Sequence, residues 1–428
     1  YFCFNNRNYY VYSTNRVSPD GHAEVINVVA LDEADALSRA KNLHLRHPDD
    51  NFENLEKVTF KAIELWDRIW KNAVESGDPG IFNISLTNRY TNMSYFLEMN
   101  ATNPCGEIPL DSYANCCLGH INLLHMLNDD NTDIDWKRLA KTIRTGIRFL
   151  DNVLTINHYP IEECRTAGER SRRIGLGTMG LHHMLIKLGL KYGSDSCIEF
   201  IERLYSTIRD EAYLASMYLA RAKGSFPEFD SKKFLAEEFA KTLPARIRML
   251  IKENGIRNAV MLTAAPTGTI SMVHGVSTGI EPIFAPMYNR RYREGNVWRK
   301  TLVLDPMFKE ALESGSDGRH IVGAYDVPPA GHMAVQAACQ RYIDNAISKT
   351  INLPKEAKAE DVSRLALQFA PYLKGMTVYR AGSKGEEPLE AIPLTDENIQ
   401  MARDHMAAED VEVEQAPDVC HVGGECGS

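Results

Sequence analysis

The feature that most constrains the fold is a set of short apolar segments alternating with long amphipathic stretches. Ile121–Leu124, Ile174–Gly177, Ala259–Leu262 and Ile351–Leu353 are of strand length and apolar or glycine-containing. A helical pattern runs from about Trp136 to Val153 and another from Ile198 to Ala222. An earlier one starts near Lys57, carries Ile63, Trp66, Ile69 and Trp70 on one face, and ends at Gly77-Asp78-Pro79-Gly80. Strand-sized segments alternating with helices predict an α/β architecture.

The two ends of the chain read differently. Asn8-Tyr9-Tyr10-Val11-Tyr12 favours a strand, Ser18-Pro19-Asp20-Gly21 a turn, and Glu24–Leu31 a second strand. Asp32 can cap a helix through Leu43, with Glu33 and Asp35 in its first turn. Residues 1–50 are therefore expected to form a small ββα unit, too small to be stable alone and packed on the rest. Residues 51–385 form the main body. From about Glu386 the chain is acidic, poor in aromatics and ends in a Gly-rich stretch holding Cys420 and Cys426, so 386–428 reads as a mobile tail.

Composition excludes several function classes. A 44% hydrophobic content over 428 residues supports one large core or two modest ones. The net charge of −9 gives no basic field for nucleic acid or an anionic membrane. No apolar run approaches the roughly 20 residues of a membrane span. Nine unevenly spaced cysteines read as intracellular thiols, some redox-active, so a cytoplasmic location is expected. No signal-peptide pattern is present; the chain begins at Tyr1 rather than Met, and sequence upstream is an expectation.

Thr102-Asn103-Pro104-Cys105-Gly106-Glu107-Ile108-Pro109-Leu110 is the most informative stretch. If the loop is extended, alternate side chains share a side, and Asn103, Cys105 and Glu107 face one cavity. A thiol there can be a nucleophile, a metal ligand or a radical carrier, and the carboxylate a general base. The same residue types also suit a tight loop with a buried Cys and a solvated Glu.

Asn-Pro-Cys-Gly-Glu, followed by Cys116-Cys117-Leu118-Gly119-His120-Ile121-Asn122-Leu123, resembles the finger-loop region of ribonucleotide reductases. The resemblance extends to Leu65-Trp66, Gly77–Ile81 and Arg172–Gly180. It implies the C-terminal part of a ten-stranded α/β barrel with a central finger loop. The activity it implies is reduction of ribonucleoside di- or triphosphates to 2′-deoxyribonucleotides by a thiyl radical. By the same resemblance Cys105 takes the 3′ hydrogen, Glu107 accepts the 3′-hydroxyl proton and Asn103 holds the sugar hydroxyls. Cys116 matches one member of the dithiol that reduces the 2′ position, and Cys117 receives no role. Ala265-Pro266-Thr267-Gly268-Thr269-Ile270-Ser271 matches the family's substrate-phosphate loop, and Gly279-Ile280-Glu281-Pro282 follows at the family's spacing. Physically, Gly268 lets the backbone approach an anion, and the hydroxyls and free N–H groups between Thr267 and Ser271 can cradle phosphate oxygens. Arg290 and Arg291 either add positive charge nearby or form a solvated face.

Two further resemblances bear on radical generation and turnover. Class I catalytic subunits receive the radical from a separate subunit through adjacent tyrosines; Lys374–Ser383 holds one, Tyr379, which would neighbour the radical site. That segment and Ile347–Pro354 resemble the class II form, which implies adenosylcobalamin as cofactor. A class I subunit needing a radical-generating partner is the alternative. Cys420 and Cys426 match the pair that re-reduces the active-site disulfide, with a thioredoxin-like or small dithiol as external reductant; a metal site with His421 is the other reading. The family's barrel has a long stretch before the finger loop, whereas 104 residues precede Cys105 and Cys3 is the upstream cysteine. The expectation is a chain completed by an N-terminal half chain or a homodimer partner, an inactive half without it, or a compact divergent form.

Overall fold

Three antiparallel strands begin the structure, a computed structural model: β1 (Asn8–Val17), β2 (Ala23–Ala30) and β3 (Asn51–Lys61), in the order β2-β1-β3. It describes residues 8–17, 23–30, 51–294, 297–383 and 389–414. The helix expected after Asp32, Cys3, Cys420, His421 and Cys426 lie outside the described residues. β3 corrects the sequence reading in two ways. The N-terminal unit continues past residue 50, because β3 pairs with β1 from Asn8↔Lys61 to Val17↔Asn51. Helix α1 (Ala62–Ser76) then starts later than Lys57. Val58-Thr59-Phe60 is β-branched and aromatic, which suits a ladder better than a helix turn.

After α1 come β4 (Ile81–Phe82) and a short hairpin of β5 (Ala101–Thr102) and β6 (Pro109–Leu110). The main sheet begins with β7 (Leu118–Asn122). Helix α2 (Trp136–Ile156), whose cap Asp135 accepts the Arg138 N–H, leads through a second helix, Glu162–Ser171, to β8 (Gly175–Met179). β7 and β8 pair in parallel, Leu118↔Gly175 to Asn122↔Met179. The expected third segment, Ala259–Leu262, makes a ladder in fragments rather than a full strand. Leu176 N–H donates to Met261 O at 2.7 Å, Thr263 N–H to Leu176 O at 3.2 Å, and Ser348 N–H to Ala264 O at 2.9 Å. The chain at 346–348 runs into β11 (Thr350–Leu353), which is parallel to β12 (Gly375–Arg380), and β4 closes that edge antiparallel. The result is an arc of parallel segments in sequence order. Among the described residues the arc does not close into a barrel.

Helices cover its outer side. α2 packs on β7 and on the long helix α3 (Asp195–Lys223), with Leu139, Ile143, Ile147 and Leu150 buried in the largest core cluster. A fully buried aliphatic side chain of this kind contributes roughly 1.5–3 kcal/mol. Gly119 and Gly146 face this layer: a Cβ on Gly119 would meet Leu150 at 3.3 Å, and one on Gly146 would meet Leu176 at 3.1 Å. A second cluster joins Trp66 and Trp70 of α1 to Ile351, Leu353, Met376 and Val378.

A third cluster corrects the tail reading. β9 (Met287–Glu294) pairs with β10 (Val297–Leu304) and with β13 (Leu389–Ala391). The last helix, Asp396–Glu414, buries Ile399 and Ala402 beside Phe308 and Met287. Arg403 donates to Leu312 O and Ser316 O, both at 2.9 Å. The acidic composition conceals these few apolar anchors. No described helix is long and apolar enough to cross a membrane.

Candidate active site

The loop 102–110 is a hairpin rather than an extended strand. Asn103 N–H donates to Ile108 O at 3.1 Å and Gly106 N–H to Asn103 O at 3.0 Å. Gly106 sits at φ 81°, and the Asn103 Oδ1 accepts the Ile108 N–H at 2.9 Å. Alternation fails across such a turn, so the three side chains part. Cys105 is exposed at the tip, Glu107 is buried, and the Asn103 carbonyl oxygen is committed to the turn. Its Nδ2 group is what Asn103 can offer a ligand.

The hairpin is fastened to the inner side of the arc. Glu107 O accepts the Ala346 N–H at 2.9 Å and the Thr263 hydroxyl at 3.0 Å. Arg173, almost fully buried, donates to Pro109 O at 2.6 Å and to Asp111 at 2.8 Å, gripping the base. Gly175 leaves room for the contact, since a Cβ there would lie 2.5 Å from Leu118 Cδ2 and 3.2 Å from Ile108 Cδ1. Arg173 and Thr263 were not singled out by sequence reasoning; only the fold reveals that they hold the loop.

Glu107 Oε2 is buried without a hydrogen-bond partner. Partial desolvation pushes the Cys105 and Cys116 thiols up although both residues are exposed, and the Glu107 carboxylate adds to the rise in both; Arg173 opposes it at Cys116. One carboxylate thus acts on both thiols, and both are held as S–H at neutral pH. Cys116 is exposed just before β7, and Cys117 is half-buried with its Sγ 3.8 Å from Leu150 O, facing the helix layer.

The segment 265–271 lies beyond the C-terminal ends of β7 and β8. Thr267 is left-handed at φ 56° and precedes the short helix Gly268–Val273. Two of the hydroxyls expected to cradle phosphate are engaged internally. Ser271 Oγ donates to Thr267 O at 2.9 Å and Gly268 O at 3.1 Å, and Thr267 Oγ1 accepts the Gly279 N–H at 2.7 Å. Pro266 is half-buried, while Gly268, Thr269 and Ile270 are exposed. Their first-turn N–H groups have no intrahelical acceptor, so the anion-binding capacity is in the backbone. Arg291 packs over Trp298 on the β9–β10 ribbon, and Arg290 is exposed there. Tyr379 lies on β12 opposite Asn352 of β11.

A parallel α/β arc with a thiol-tipped hairpin on its inner side and exposed backbone amides at its strand ends defines an α/β protein with a candidate thiol-bearing site. Residues 37–379 match the family model described as ribonucleotide reductase, barrel domain, and the chain belongs to that family. It is 35% identical over 352 residues to a vitamin B12-dependent ribonucleoside-diphosphate reductase of Mycobacterium tuberculosis, covering 77% of this chain and 48% of that protein. A Thermoplasma acidophilum protein of the same name is 36% identical over 354 residues, covering 77% and 44%. A ribonucleoside-diphosphate reductase subunit alpha of Chlamydia pneumoniae is 26% identical over 390 residues, covering 79% and 37%. The chain spans about half the length, or less, of these curated relatives.

Proposed function

We propose that this chain carries the catalytic site of a ribonucleotide reductase that converts ribonucleoside diphosphates to 2′-deoxyribonucleotides in the cytoplasm. The observation that carries the reading is the hairpin fastened to the arc with Cys105 exposed at its tip and, two residues on, the buried Glu107, whose Oε2 has no hydrogen-bond partner. Diphosphates are favoured over triphosphates by the names of the relatives. The arc would be part of the ten-stranded barrel, with β7, whose one strand partner among the described residues is β8, offering its other edge to the remaining strands. Those strands would come from an N-terminal half chain, or from further sequence.

The chain's own groups can be assigned as follows. Cys105, as a thiyl, removes the 3′ hydrogen. The free Oε2 of Glu107 accepts the 3′-hydroxyl proton, and Asn103 Nδ2 holds a sugar hydroxyl. The 2′-hydroxyl leaves as water, with two electrons and two protons drawn from Cys116 and a partner thiol, which become a disulfide. Cys420 and Cys426 reduce that disulfide by exchange and are restored by a thioredoxin-like or small dithiol. The exposed backbone amides from Gly268 to Ile270 hold the phosphates. Adenosylcobalamin, the cofactor indicated by the vitamin B12-dependent relatives, would supply radical chemistry beside Cys105. The tip fits a bulky cofactor, since Cys105 is exposed and a Cβ on Gly106 would meet nothing within 4 Å.

The test is anaerobic incubation of the purified chain, alone and with a co-expressed N-terminal half, with adenosylcobalamin, a dithiol and cytidine diphosphate. Deoxycytidine product that disappears in Cys105→Ala is expected. Product appearing only with a class I radical subunit would replace the cobalamin assignment. No product under any of these conditions would sink the reading.

A further inference from the structure

His120 lies in the middle of β7, four residues after Cys116 and two before Asn122. The two sides of this strand are separable from its glycine neighbours. Gly119 faces Leu150 of the outer helix layer. Leu118 faces inward, where a Cβ on Gly175 would strike both it and Ile108 of the hairpin. By the period of two, His120 and Asn122 share that inner side with Leu118.

The imidazole is seated over Gly177 of β8. A Cβ at Gly177 would be 2.8 Å from His120 Cδ2, 3.0 Å from its Nε2 and 3.0 Å from Thr263 O. The missing side chain at 177 is what gives the ring its place. Thr263 is the residue whose hydroxyl holds the hairpin through Glu107 O. His120 is therefore one residue removed from the hairpin's anchor.

Two inward nitrogens of β7 lack partners. His120 Nε2 and Asn122 Nδ2 are buried with no hydrogen bond. Leaving a buried polar group unpaired costs about 1–3 kcal/mol, so such groups call for a partner that the folded chain does not supply. Burial pushes the imidazole down to about 4, so it is neutral at physiological pH and acts as a hydrogen-bonding group, not as a general acid.

The position of the strand suggests what that partner is. Its start adjoins Cys116 and the hairpin. Its end adjoins the segment after the phosphate loop: a Cβ on Gly180 would be 3.0 Å from Asn122 Oδ1 and 3.4 Å from Val276 Cβ. Four residues of strand span about 13 Å from the hairpin end to the phosphate-loop end. His120 occupies the middle of that span.

We propose that His120 is a further ligand-contacting residue of the site, hydrogen-bonding the bound ribonucleoside diphosphate between the thiols and the phosphate loop, with Gly177 reserved to seat its ring. The inference rests on the ribonucleotide-reduction reading and adds a contact that neither the hairpin nor the phosphate loop provides.

The experiment measures cytidine diphosphate binding to the full chain by calorimetry, alongside ring-nitrogen NMR of the ¹⁵N-histidine-labelled protein. His120→Ala is expected to weaken binding about tenfold, the value of one well-made hydrogen bond to a ligand. His120→Gln, which keeps an N–H, should recover part of the loss. Gly177→Ala, which displaces the ring without touching it chemically, should weaken binding as His120→Ala does. The His120 ring nitrogens should shift on adding nucleotide to wild type, a readout that survives if a variant misfolds. Wild type that binds nucleotide with its His120 signals unmoved, or His120→Ala that binds equally well, overturns this inference alone. Wild type that binds no nucleotide, either alone or with the co-expressed N-terminal half, overturns the functional reading, and this inference with it.

Discussion

Lys349 Nζ, fully buried, lies 2.6 Å from Glu281 Oε2, while Glu281 Oε1 accepts the Thr350 N–H at 2.6 Å. This joins the start of β11 to the Gly279–Pro282 segment behind the phosphate loop. Gly279 in turn donates its N–H to Thr267. Lys349 also meets His332 Nδ1 at 3.0 Å. Glu281→Gln leaves a buried ammonium without its counter-charge, and breaking such a pair costs about 3–5 kcal/mol. Urea unfolding of the variant should show a loss of that order, and nucleotide affinity should fall with it because Thr267 loses its support. A variant as stable as wild type would show that the pair is dispensable.

The hairpin's reactivity offers a test independent of turnover. The Glu107 carboxylate helps to raise the Cys105 and Cys116 thiols, although burial is the larger cause at both. Removing the charge in Glu107→Gln lowers both and increases the thiolate fraction at a given pH. Alkylation by iodoacetamide at pH 8, followed by mass spectrometry, should be a few-fold faster at both cysteines in the variant. Equal rates would show that the Glu107 charge does not reach the thiols.

The hairpin is only half legible in the sequence. Asn-Pro-Cys-Gly is a turn signal as much as an extended one, and the decisive facts are Gly106 at φ 81° and the commitment of Asn103 Oδ1 to Ile108. Sequence period alone cannot see either. The helices were legible because their caps and faces are local: Asp135 marks the start at Trp136, and Ser194 moves the start of α3 from Ile198 back to Asp195. The strand at 51–61 and the anchors Ile399 and Ala402 were hidden because their partners, β1 and the 304–321 region, lie far along the chain. Arg173 and His120 fall in the same class. Both sit in recognised segments, yet their roles depend on the packing of Pro109 and Gly177 against them.

Arg173 is the next test of the hairpin. Its guanidinium is buried and divided between Pro109 O and Asp111. Arg173→Met keeps much of the volume but strands Asp111 and frees the base of the loop. A destabilisation of about 3–5 kcal/mol is expected, with faster proteolysis near residues 102–112 than elsewhere. Unaltered stability together with unaltered cleavage would show that the loop holds itself.

Buried histidines make the protein sensitive to acid. Burial lowers His120 to about 4 and, with smaller charge contributions, His182 and His332 to about 3. The unfolded chain takes up protons near pH 6.5, the folded chain only at these lower values. Between them the unfolded state binds more protons, so stability rises with pH across that window and is lost as pH falls from about 6.5 towards 3–4. Each histidine adds a slope of up to about 1.4 kcal/mol per pH unit. Urea midpoints measured from pH 7 to 4 should decline, and His120→Gln should reduce the slope by about one proton. A variant with the wild-type slope would mean that His120 titrates normally.

Gly175 tests whether the hairpin's contact with the sheet matters for chemistry as well as stability. A methyl group there would sit 2.5 Å from Leu118 Cδ2, 2.9 Å from Thr263 Cγ2 and 3.2 Å from Ile108 Cδ1. Leu118 Cδ2 must give way first, and Ile108, which follows Glu107 in the hairpin, crowds the same point, so the strain is passed to the hairpin. Overpacking of this kind costs about 1–3 kcal/mol. A shift of the hairpin would also move Glu107 relative to Cys116, and displacements of about 1 Å can cost about a hundredfold in rate. Gly175→Ala should therefore lose far more kcat than its modest fall in stability accounts for, with nucleotide affinity nearly unchanged because the phosphate loop is untouched. A variant whose rate falls only in step with its folded fraction would place the relaxation in Leu118 and leave the hairpin where it is.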